Sequence, residues 1–131
     1  MGEHQNVERL RKGFAAFDSG DIPAVLELFS PDIVWNVPGD NPIAGTYKGH
    51  DEVMGFFGKL MEETGGSFKI EIEDILANDR HGVAIVRQRA ERNGKRIDMS
   101  VVQVFSVNED GKVTEFSGYP EDTAAVDDFY K

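Results

Sequence analysis

The hydrophobic period of this chain changes once, at Gly65-Gly66, and that change limits the folds open to it. Before the glycine pair, apolar residues recur at helical spacing. Val7, Leu10, Phe14 and Phe17 lie three and four residues apart, on one face of a predicted helix. Asp18-Ser19-Gly20-Asp21 breaks it. Asp21 then has the chemistry of an N-cap, with Pro23 in the first turn, for a second helix that buries Val25, Leu26, Leu28 and Phe29. Ser30-Pro31-Asp32 is expected to end it, and Ile33 to Val37 forms a short strand. Pro38 to Pro42 and Gly45 to Gly49 are loop chemistry. His50 or Asp51 opens a third helix, apolar through Val53, Met54, Phe56, Phe57 and Leu60.

After the glycine pair the period is two. Phe68, Ile70 and Ile72 alternate with Lys69, Glu71 and Glu73, the pattern of a half-buried strand. Asn78 to Gly82 is a turn. Two long strands follow, Val83 to Arg92 and Lys95 to Val107, joined by Asn93-Gly94, the dipeptide favoured in two-residue hairpins. Asp110-Gly111 marks the next turn, Val113 to Tyr119 the next strand, and Glu121 to Lys131 a short terminal helix. Helices first and long antiparallel strands after them define an α+β class. A curved sheet wrapped by three helices is its compact form.

The 131 residues suit one domain, residues 1–131, because two would leave each half too small a core. Hydrophobic residues at 40% and charged residues at 29% exclude wholesale disorder. No apolar run approaches the roughly 20 residues of a membrane span. The first residues lack the apolar stretch of a secretory signal, so a cytoplasmic location is expected. The absence of cysteine excludes disulfides, thiolate metal sites and a cysteine nucleophile. A net charge of −10 repels nucleic-acid phosphate and anionic membrane, so neither is expected as a partner. The one basic stretch, Arg87, Arg89, Arg92, Lys95 and Arg96, reads as a solvated hairpin face, or else as an anion site or an ion-pair strip between subunits.

No P-loop, dinucleotide fingerprint, G-x-S-x-G or H-E-x-x-H is present. His4, His50 and His81 are isolated, the first expected in a frayed tail and all three at the surface, so neither a metal nor another cofactor is expected. Asp98 stands between Ile97 and Met99 within a strand, where aspartate is disfavoured. It is either a general base in a pocket or an outward residue paired with an arginine across the hairpin. Gln103, in Val101-Val102-Gln103-Val104-Phe105, either orients a polar ligand or satisfies backbone groups at a sheet edge. Asp98 and Gln103 have opposite strand parity and share a face only if a bulge intervenes. Trp35 is an aromatic wall at a pocket mouth or a core anchor, and Tyr47 and Tyr119 are candidates to line the same cavity.

Four segments in order resemble a known family: Phe17-Asp18-Ser19-Gly20-Asp21; Val25 to Trp35; Gly45-Thr46-Tyr47-Lys48-Gly49; and Asp110-Gly111-Lys112-Val113-Thr114-Glu115-Phe116. Together they resemble the SnoaL-like and ketosteroid-isomerase-like branch of the nuclear-transport-factor-two-like superfamily. The resemblance implies a cystatin-like α+β barrel, in which a cone-shaped, curved antiparallel sheet and three helices enclose a deep apolar pocket. It also implies homodimers packed through the sheet.

The fold does not fix the chemistry. Matching the steroid isomerases places Asn36 where their base would be and Gln103 where their oxyanion acid would be. Their oxyanion tyrosine falls near Gly13 or Phe14, so that mechanism is not expected. The acid of the polyketide cyclases falls near Gly118, with Asp122 close by as a substitute. Arg87 or Arg89 with Asp98 imitates part of the Asp-Arg-Asp arrangement of the epoxide-hydrolase relatives. The expectation is a pocket for a small hydrophobic molecule bearing a carbonyl or hydroxyl, with Trp35, Asn36, Tyr47, Gln103 and Tyr119 around the ligand. An isomerase or cyclase would use Asp98 or Asp122 as base. The alternative is a non-catalytic, homodimeric binding domain.

Overall fold

The computed structural model describes residues 4–131. The elements run α1 (Gln5–Asp18), α2 (Ile22–Glu27), β1 (Phe29–Val37), β2 (Gly45–Lys48), α3 (Gly49–Thr64), β3 (Lys69–Ala77), β4 (His81–Arg92), β5 (Lys95–Val107), β6 (Val113–Pro120) and α4 (Thr123–Tyr130). The α+β class and the helix-then-strand order are those expected from the sequence. No helix among the described residues is long and apolar enough to cross a membrane.

Local chemistry sets most boundaries. The His4 ring accepts the Asn6 N–H through Nδ1, so His4 caps α1 instead of fraying, and its Nε2 faces Asp79 at 2.8 Å. Asp21 caps α2 through the Ala24 N–H. Gly65, at φ 59°, closes α3 in the left-handed conformation that costs glycine nothing. Two boundaries differ from expectation. Helix α2 ends at Glu27 with Leu28 as its C-cap, and Phe29-Ser30-Pro31-Asp32 opens β1. Pro31 is tolerated there because the pairing of β1 with β6 shifts register between Phe29 and Val34. Gly45 to Lys48, expected as loop, is an edge strand paired with β1.

The six strands form one curved open sheet in the order β2-β1-β6-β5-β4-β3. Its ladders are antiparallel except one: β1 runs parallel to β6. A parallel pair needs a long crossover, and here β2, α3 and the β3–β5 meander supply it. Strand β5 alternates cleanly, with Ile97, Met99, Val101, Gln103 and Phe105 buried. Its register with β4 is unbroken from Gly82–Phe105 to Arg92–Lys95. No bulge intervenes, so Asp98 and Gln103 lie on opposite faces.

The helices cover the Gln103 face. Leu10 of α1 sits so close to Gly82 of β4 that a Cβ there would collide with it. Trp35 stands among Phe29, Phe56, Phe57 and Phe116, with ring centroids 3.8 to 6.3 Å away. Burying side chains of this size stabilises by about 1.5–3 kcal/mol each. At the far end Arg92 holds α4. Its guanidinium donates to the carbonyls of Phe129 and Lys131 at 3.1 Å and pairs with Glu63 of α3 at 2.9 Å.

Candidate functional site

Between the concave face of the sheet and helices α1 to α3 lies a cavity of about 150 Å³, closed in part by Val126 and Tyr130 of α4. Apolar cavities of roughly 150 Å³ hold one benzene ring. The wall is mostly aromatic and aliphatic, with Phe14, Trp35, Phe57, Val101, Phe105 and Phe116 contributing. The pairings order these side chains into rows. Trp35 pairs with Phe116 and Phe116 with Phe105; in the next row Gln103 pairs with Gly118. Gly118 adds no side chain to that second row, and the Phe116 ring lies within van der Waals reach of where its Cβ would be.

Two of the residues that line this space carry a polar group without a protein partner among the described residues. The Trp35 indole Nε1 is fully buried and unpaired among the described residues. Gln103 is 5% exposed and lines the cavity; its amide makes no hydrogen bond among the described residues, and only the indole N–H is a fully buried, unpaired atom. Leaving a buried donor such as the indole N–H unsatisfied costs about 1–3 kcal/mol, so it calls for a partner that the described residues do not provide. Gln88 and Tyr130 also border the cavity. Burial pushes the Tyr130 phenol above its ordinary range, so it is a neutral donor. Among the described residues no aspartate, glutamate, histidine or lysine lines the wall, and Arg9 is its one charged side chain. No group of three or more His, Asp and Glu comes together as a metal site among the described residues.

The candidates picked from the sequence divide between the two faces. Trp35 and Gln103 meet in the cavity. Asn36 alternates with Trp35 and does not line it. Its Nδ2 donates to the Phe116 carbonyl and Ser117 Oγ, both at 3.2 Å, and its Oδ1 accepts from Thr46, so it ties β2, β1 and β6 together. Tyr47 stands behind the wall against Phe56, and its hydroxyl donates to the Ile43 carbonyl at 2.7 Å. Burial raises its pKa. Tyr119 is 59% exposed on the outer face, opposite Val102.

Neither candidate base reaches the cavity. Asp98 is on the outer face, with Arg87 Nε at 2.6 Å, Arg89 Nε at 3.3 Å and Arg96 at 3.8 Å. Its carboxyl is held below the usual range, first by the Arg87 hydrogen bond, which is the opposite of what a base working near neutral pH needs. Of the two readings of Asp98, the geometry is that of the outward, arginine-paired residue. Asp122 is the N-cap of α4, accepting the Ala125 N–H at 3.0 Å. The Asp-Arg-Asp imitation is likewise confined to the outer surface.

Four polar wall residues were not among the candidates read from the sequence: Asn6, Arg9, Gln88 and Tyr130. A signal existed for Gln88. It shares strand parity with Ala84, Val86 and Ala90, all buried, whereas Arg87 and Arg89 have the other parity.

The family model for the SnoaL-like domain matches residues 10–116, which span both the helices and the sheet around this cavity. The chain belongs to the SnoaL-like family. This SnoaL-like chain is 32% identical over 131 residues to an uncharacterised protein of Mycobacterium tuberculosis, covering 99% of both. Among solved structures it is similar to Bal32a from a soil-derived mobile gene cassette, at 38% identity and TM-score 0.92 over 97% of each chain. It is also similar to a Xanthomonas campestris protein of unknown function with a cystatin-like fold, at 25% identity and TM-score 0.89, covering 95% of this chain and 97% of that one.

Proposed function

We propose that this SnoaL-like protein binds one small hydrophobic molecule bearing a carbonyl or hydroxyl, with its ring or chain against Trp35, Phe105 and Phe116. The observation that carries this is the pair of unspent polar groups, Trp35 Nε1 and the Gln103 amide, on residues that line a mostly apolar cavity. The indole donates to a ligand oxygen, and the amide offers both a donor and an acceptor. Binding is favoured over proton transfer because the wall holds no group that accepts a proton near neutral pH. Asp98 and Asp122 are occupied elsewhere.

A homodimer through the outer face accompanies this reading. The ladders bring Leu76, Val83 and Val104 into one row and Ile85, Val102 and Tyr119 into the next. Leu76, Val102 and Tyr119 are exposed. An exposed apolar patch bordered by ion pairs is the character of an association surface.

Native and denaturing mass spectra of gently purified protein test both readings. A dimer that retains a defined small organic mass supports them. A protein that carries no added mass and takes up no carbonyl- or hydroxyl-bearing aromatic compound when offered one overturns the binding reading. A monomer at all concentrations overturns the dimer. Turnover of an isomerase or cyclase substrate that Gln103→Leu abolishes would replace binding with catalysis.

A further inference from the structure

Arg9 is positioned on the cavity wall and has no carboxylate partner among the described residues. Its Nη1 donates to Asn6 Oδ1 at 2.7 Å, and buried Asn6 in turn donates to the Asn78 carbonyl at 2.9 Å. On its other side the guanidinium lies on Gly111, so closely that a Cβ there would collide with it. Gly111 has φ +77°, so the turn and the close approach both call for glycine. Among the described residues no carboxylate oxygen lies within 4 Å of Arg9, whereas Arg87, Arg89, Arg92 and Arg96 each have one. The charge is held by an amide and a peptide plane, on a residue that lines the cavity together with Gly111.

We propose that the ligand is a hydrophobic carboxylate whose anionic end docks on Arg9 while its apolar body lies along Phe105, Phe116 and Trp35. This rests on the binding reading above and narrows its ligand class. The guanidinium fork suits a carboxylate in two parallel hydrogen bonds. The arrangement also sets a length. Gly111 lies in the turn after Val107, and four residues of β5, about 13 Å, separate Val107 from Gln103. The anion therefore sits several bonds from any group that reaches Gln103. The molecule's net charge of −10 opposes an anion at long range. That field is screened beyond about 10 Å at 0.1 M salt, so the local cation decides.

Trp35 is the one tryptophan of the chain and lines the cavity, so its fluorescence reports occupancy. The test titrates 4-phenylbutyrate and 4-phenylbutan-1-ol, which share one apolar body, into the protein and into Arg9→Gln. The acid is expected to bind at least about tenfold more tightly than the alcohol. In Arg9→Gln the preference disappears, the acid losing far more affinity than the alcohol. Raising salt from about 50 to about 500 mM shrinks the preference in the unaltered protein. Equal affinities, or a preference that survives in Arg9→Gln, overturn the carboxylate proposal and leave the binding reading standing. If neither compound perturbs Trp35, both fall. Should Arg9→Gln not fold, the salt series decides, and a preference indifferent to salt counts against Arg9.

Discussion

Trp35 stacks on Phe116 with ring centroids 3.8 Å apart and planes 13° from parallel, directly across the β1–β6 ladder. The stack fixes the indole so that its N–H is buried without a partner. The same side chain is therefore a core anchor and a cavity wall, the two roles that its sequence context left open.

Replacing Trp35 by Phe separates those roles. The substitution removes an unsatisfied donor, which recovers about 1–3 kcal/mol, and leaves a small void of similar cost. Stability in urea, followed by circular dichroism, should change by less than about 1 kcal/mol. Trp35→Ala should lose about 3–5 kcal/mol. Affinity for a carbonyl-bearing ligand should fall up to about tenfold in Trp35→Phe, through one lost hydrogen bond.

Gln103→Leu should hold or raise stability, because an apolar side chain of similar size replaces an amide that has no protein partner. Binding of a carbonyl or hydroxyl compound should weaken about tenfold, while a hydrocarbon of the same shape should bind equally well or better. Isothermal titration of both compounds checks this. A Gln103→Leu protein that melts far below the parent would mean that the amide is spent inside the fold.

Asp98 predicts a pH signature. Its folded pKa lies below the ordinary carboxylate value, with the Arg87 hydrogen bond the largest cause. The contribution is then present above about pH 4, the unfolded value, and is lost as pH falls through the folded one. Urea unfolding of the parent and Asp98→Asn should differ at pH 7 and converge in acid. Ligand affinity should be the same in both. An Asp98→Asn protein with unchanged stability and lost binding would return Asp98 to the site.

Arg92→Ala should release α4. The side chain is only 15% exposed, and its guanidinium holds two carbonyls as well as Glu63. Its loss should cost about 1.5–3 kcal/mol and show as faster amide exchange in Thr123–Tyr130. Because Val126 and Tyr130 border the cavity, ligand dissociation should quicken as well.

The class of the fold, the order of its elements and the family were legible because each rests on local pattern. Helical spacing up to Leu60, alternation from Phe68, and turn glycines all act within a few residues. The errors came where a distant partner decides. Pro31 looked like a stop because its tolerance depends on a register shift against β6. Gly45 to Lys48 looked like loop because β1 supplies its hydrogen bonds. In the site, parity alone separated Asp98 from Gln103, once the ladder was known to have no bulge. Asn36 drew attention by its type, yet it bridges three strands. Arg9 drew none, because a cation on an amphipathic helix is ordinary until Gly111 is seen beneath it.

The lone parallel ladder has a kinetic consequence. Asn36 and the Phe116 carbonyl that it binds are 80 residues apart. Contacts of such high order slow folding, since the loop must close before the pairing rewards it. On the ribosome, Phe29 and Trp35 emerge long before β6 exists to cover them. Until then the nascent chain presents an apolar strand with one unpaired edge, the kind of species that chaperones retain. A parent and Phe116→Ala pair should therefore differ more in refolding yield than in the rate of the β4–β5 hairpin, which needs only its own turn.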